Sequence, residues 1–126
     1  MKSETDFFHA LIEEIKVLKT RPEISLSEIP APQRLAPFAY AVSADLSLSS
    51  SQSDDDDDIA TGRFVLLHDP DGQEGWSGQW RFVTFTRAAI DLEMASDPLL
   101  PEIGWAWLME SLKKHNCDYI AASGTV

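Results

Sequence analysis

His68 and Asp69 stand side by side in this chain, with Glu74 five positions on. An imidazole among carboxylates is the raw material of a general base or a divalent metal site. The simpler reading has Asp69 accepting backbone N–H bonds in its own turn, with His68 at a sheet edge. A second grouping, His115, Cys117 and Asp118, mixes soft and hard donors. Zinc needs about four ligands, and no second Cys or His pair is present to complete a tetrahedron. His115 reads more simply as a favourable charge at a helix C-terminus. Cys117 lacks a base and an orienting group, so it is not read as a nucleophile. The run Asp54–Asp58 offers oxygens suited to Ca²⁺, but contiguous acids point in different directions. It reads first as a solvated hairpin loop and second as a contact for a basic partner. No Gly-rich phosphate loop and no nucleophile elbow occur. The sequence therefore calls for no cofactor and no metal, and an enzyme is the less favoured class.

Four tryptophans are the sharper observation. Trp105 and Trp107 sit two apart on a helical pattern, roughly 200° around, and cannot share a face. One belongs to a core and the other to a partner, a pocket or a sheet edge. Trp76 and Trp80 are expected on one strand face with Gly78 between them, leaving a shallow slot; core packing is the simpler reading. Arg81 and Arg87 share a strand face opposite to these tryptophans, and Arg63 lies on the neighbouring strand. They can bind an anion or pair with local carboxylates, the second being favoured.

The elements that must position these residues follow from periodicity. Residues 4–20 repeat apolar groups at helical spacing, from Phe7 and Phe8 to Leu18, behind a Ser3–Asp6 capping box, with Pro22 as the stop. Ile24, Leu26 and Glu28 suggest a short strand. Pro30, Pro32 and Pro37 stiffen the connection after it. Phe38 to Leu48 alternates as a strand. Ile59 to His68 is a second strand in which Phe64, Val65, Leu66 and Leu67 run nearly continuously, read as a central strand covered on both faces. Asp69-Pro70-Asp71-Gly72 is a type I turn. Trp76 to Ile90 reads as a third long strand and Asp91 to Ser96 as one helical turn. A helix is placed at about 101–115, and Asn116 to Val126 reads as a last strand. Adjacent strands with flanking helices give an α+β class. The expectation is an antiparallel sheet of about four to five strands, with the N-terminal helix and a second helix near the C-terminus packed on one face. The other face then keeps apolar groups that a homodimer or a ligand would cover.

At 126 residues the chain is read as one domain, 1–126, with a flexible acidic loop at 49–58. The 10 basic and 21 acidic side chains leave a net charge of −11. Such a chain repels phosphate backbones and anionic membrane surfaces, so neither nucleic acid nor membrane is expected as a partner. One cysteine excludes an internal disulfide and fits a reducing cytoplasm. No signal peptide and no membrane-spanning run are read.

Several blocks resemble a known family. They are Arg21-Pro22-Glu23, Glu28-Ile29-Pro30-Ala31-Pro32-Gln33-Arg34-Leu35-Ala36-Pro37, Ala60-Thr61-Gly62-Arg63, and Leu67-His68-Asp69-Pro70 with Gly72-Gln73-Glu74. Asp97-Pro98-Leu99-Leu100-Pro101-Glu102, Gly104-Trp105 and Ala122-Ser123-Gly124-Thr125-Val126 extend the likeness over nearly the whole chain. The family is an actinobacterial one catalogued as domain of unknown function 3000. The resemblance implies a small cytosolic protein and no particular reaction. Family members run on past the last block, which implies a short member or a truncated chain. The Asp run departs from the family's short hairpin loop.

Taken together, the sequence is read as a cytoplasmic, non-enzymatic interaction module that binds a protein partner or itself as a homodimer. The alternative is a small-molecule-binding protein or enzyme. Its site would lie where His68, Asp69 and Glu74 approach the Gln33–Arg34 connection. The binding candidates are Gln33, Arg34, Arg63, His68, Asp69, Glu74, Trp76, Trp80 and Trp105.

Overall fold

The computed structural model describes residues 3–47 and 58–126. Most of the acidic loop thus lies outside the described residues. The rest forms two compact units, Met1–Ala89 and Ile90–Val126.

The first unit opens with helix α1 (Glu4–Lys16). Ser3 and Asp6 make the expected reciprocal capping box, so two otherwise orphaned N–H groups are satisfied. The helix ends at Lys16, short of the expected residue 20. Val17 leaves helical geometry, and Leu18 is exposed and so holds no further turn against the sheet. Four strands follow: β1 (Ile24–Ile29), β2 (Phe38–Ser47), β3 (Asp58–His68) and β4 (Trp80–Ala88). They form one antiparallel sheet in the order β1-β2-β3-β4. β3 is central, as its apolar run predicts. The class is α+β, as the sequence indicates.

Register assigns the two faces. Phe38, His68 and Trp80 are directly opposed across β2, β3 and β4. Phe8 of α1 packs on all three, with ring centroids 5.4 Å from Phe38, 6.4 Å from His68 and 6.3 Å from Trp80. This is the helix face, and Tyr40, Leu66 and Phe82 share it. The opposite face carries Ala39, Ala41, Arg63, Val65 and Leu67, then Arg81, Val83, Phe85 and Arg87.

β4 is shorter than expected, beginning at Trp80 rather than Trp76. Gly72, Ser77 and Gly75 all adopt positive φ, which folds residues 69–79 into turns instead of a strand. A Cβ on Gly72 would also lie 3.2 Å from the Gly78 carbonyl oxygen, so glycine is required there. Trp76 is buried within this loop, while Trp80 faces α1. The two rings therefore share no strand face and frame no slot.

The second unit holds α2 (Leu92–Ala95) and α3 (Leu100–Lys114). Asp97 accepts the Leu99 N–H and Pro101 lies in the first turn, as the start signal suggests. The expected last strand at 116–126 does not form. Asn116 and Ala121 both take left-handed φ of 56°, which interrupts a strand. The segment instead returns along α3: the Tyr119 hydroxyl donates to the Met109 sulfur at 3.2 Å. A Cβ on Gly124 would sit 2.7 Å from the Trp105 ring, so that ring rests against bare backbone. Trp105 is half-buried within its own unit, whereas Trp107 is 57% exposed.

Candidate functional site

His68 is the most enclosed polar side chain described, only 2% exposed. Its Nδ1 lies 3.1 Å from the Gln79 carbonyl oxygen and its Nε2 lies 2.9 Å from a Glu4 carboxylate oxygen. Both neighbours are acceptors, so the ring links the start of β4 to α1. Trp80 stacks on it at a centroid distance of 3.8 Å. Sequence spacing carries no signal for Glu4, which lies 64 residues away. His68 thus sits inside the fold, not at a sheet edge.

Asp69 does what its turn predicts. It accepts the Asp71 N–H at 3.0 Å and the Gln73 side-chain amide at 3.1 Å. The same amide nitrogen donates to the Leu35 carbonyl at 2.8 Å. This brings the 69–79 loop against the proline-rich connection that holds Gln33 and Arg34. Those two side chains are exposed, and Arg34 adopts a positive φ of 69°. Glu74 lines an open cleft of about 410 Å³ with Asp71, Gln73, Ser77 and Gln79. His68 is turned away from it, under α1. Among the described residues no group of three His, Cys, Asp or Glu side chains is placed to hold a metal ion. No described helix is long and apolar enough to cross a membrane.

Arg63 lies opposite Phe85, and Arg87 lies opposite Thr61, so Arg63, Arg81 and Arg87 share the face away from α1. The expected pairing with local carboxylates is not found among the described residues. All three are exposed, and none of their side chains has an ion pair or hydrogen bond among the described residues. Arg63 borders a cleft of about 510 Å³ with Ser43, Asp45, Thr61, Ile29 and Pro30.

β4 supplies what residue-by-residue reading misses. It is an edge strand, exposed at every position. Phe82 on one face and Phe85 on the other are 62% and 63% exposed. The ladder fixes which backbone groups are free. Asp69 donates to Gln79 at 2.9 Å, and Ala89 donates to Ile59 at 2.9 Å, so these are hydrogen-bonded pairs flanking the β3–β4 register. Antiparallel pairs alternate, so Arg81, Val83, Phe85 and Arg87 bond to β3. Trp80, Phe82, Thr84, Thr86 and Ala88 then direct N–H and C=O groups outward. Within the first unit no described backbone group meets them. The other edge, β1, is shorter and is flanked by charge, with Lys16 Nζ 3.8 Å from Glu28. The signal for β4 in the sequence is its two-sided aromatic pattern, which alone does not separate an edge from a centre.

A family model described as protein of unknown function (DUF3000) matches residues 4–126, nearly the whole chain. The sequence blocks set out above point to that same family. No curated protein and no solved structure matches the chain.

Proposed function

The chain belongs to the DUF3000 family, and from that premise we propose that it is a protein-interaction module that docks a partner by adding a strand to β4. One observation carries this reading: a nine-residue edge strand, exposed throughout, with aromatic rings on both faces and a row of outward N–H and C=O groups. Such an edge is a template for another strand. Main-chain bonds supply affinity, and Phe82 and Phe85 supply apolar contact on either side. The non-enzymatic reading rests on His68 and Asp69, whose polar atoms are committed within the fold. The cytoplasm is the proposed compartment, where the exposed thiol of Cys117 stays reduced.

The test is a neutral strand-forming peptide, Gln-Thr-Val-Thr-Val-Thr-Gln, titrated against the full chain and its Thr84→Pro variant. Proline at 84 removes an outward donor and no β3–β4 bond. The wild type should bind and the variant should not. Equal binding by both would reject docking at this edge.

A further inference from the structure

We infer that the strand received by β4 is acidic, carrying carboxylates on one face at positions six residues apart. The inference rests on the strand-docking reading and adds the chemistry of the partner. Its basis is the charge on the sheet face away from α1. The chain carries 21 acids and 10 bases. Three of those bases, Arg63, Arg81 and Arg87, nonetheless gather on one exposed face with no carboxylate within ion-pair range among the described residues. Guanidinium groups that pair with no described carboxylate favour an anionic partner.

Strand geometry turns that sign into a pattern. Arg81 and Arg87 bracket Val83 and Phe85 on β4. These odd-numbered residues bond to β3, so an incoming antiparallel strand meets them at non-hydrogen-bonded positions. There the opposed side chains come closest, with Cα atoms about 4.5 Å apart. A partner residue opposite Arg81 and another opposite Arg87 are therefore six residues apart on one face. Carboxylates there complete two ion pairs, and apolar residues between them cover Val83 and Phe85. Arg63, opposite Phe85 on β3, adds positive potential behind the Arg87 end.

Self-pairing fits this pattern less well. In a two-fold antiparallel pairing centred on Thr84, Arg81 of one copy would stand opposite Arg87 of the other. Directly opposed like charges destabilise a sheet. The occupant is thus a different, acidic strand, and a second copy is an outcome for the test to detect.

The experiment titrates Glu-Thr-Val-Thr-Val-Thr-Glu, its Lys-ended counterpart and the neutral Gln-ended peptide against the full chain at low salt. The sequence of each reads the same in both directions, so either strand orientation presents its ends to Arg81 and Arg87. Two exposed ion pairs predict binding of the Glu-ended peptide on the order of tenfold tighter than the Lys-ended one. The Arg81→Glu/Arg87→Glu variant, altered only at exposed side chains, should reverse that preference. If Thr84→Pro abolishes binding of all three peptides but the wild type binds them alike, docking at β4 stands and the acidic preference is overturned. If Thr84→Pro binds the Glu-ended peptide as tightly as the wild type, strand docking itself fails and the inference falls with it. Light scattering runs in parallel. A dimer that becomes monomeric in Thr84→Pro would make a second copy the occupant and overturn the acidic strand.

Discussion

Both ring nitrogens of His68 are held by acceptors, one on the β4 side and one on α1. Removing the ring leaves a buried gap against Phe8, Phe38 and Trp80 and cuts the link to Glu4. His68→Ala should therefore cost about 2–4 kcal/mol in denaturant unfolding. A change below about 0.5 kcal/mol would mean that His68 is not the pin between helix and sheet. Tyr40 gives a pH prediction. Its burial, then the nearby Glu28 carboxylate, hold its hydroxyl above the ordinary value of 10.0. A folded value above the unfolded one means that the contribution is complete below the unfolded value and is lost as pH rises through the folded one. Stability should thus fall on the alkaline side above about 10, and Tyr40→Phe should flatten that limb in a pH series of melts. At this scale the turn role of Asp69 is legible from its own neighbours. The Glu4–His68 bond is not, because tertiary packing alone brings those residues together.

β4 shows the same division among elements. Alternation of apolar residues identified the strand, yet its start lies at Trp80 because three positive-φ residues turn the chain before it. Periodicity counts side chains and is blind to those dihedrals. The capping box of α1 was legible because it is local. The absence of a strand at 116–126 was not, because Ala121 turns the backbone at positive φ and Gly124 lies against Trp105 of α3. Backbone parity makes a prediction of its own. Proline at Val83 would delete a β3–β4 bond and should cost about 3 kcal/mol or more. Proline at Thr84 faces the free edge and should cost clearly less. Comparing the two melts checks the assignment, and equal losses would contradict it.

The whole first unit is a sheet with one face partly sheltered by α1 and with β1 and β4 at its edges. The class and the strand succession were legible from runs and turns. The identity of the edge strands was not, because strand order is a property of the assembled sheet. Charge behaved likewise: composition shows an acidic chain, while the register collects Arg63, Arg81 and Arg87 on one face. If the proposed acidic strand docks at β4, its attraction to Arg81 and Arg87 should weaken as salt rises.

The most direct measurement is residue-resolved amide exchange along β4 in the full chain, with and without the Glu-ended peptide. Docking at the edge predicts an alternating response. The amides of Phe82, Thr84 and Thr86 should slow markedly, while those of Val83 and Phe85, already bonded to β3, should change little. A uniform response along the strand, or none at saturating peptide, would contradict the proposal that β4 receives a partner strand.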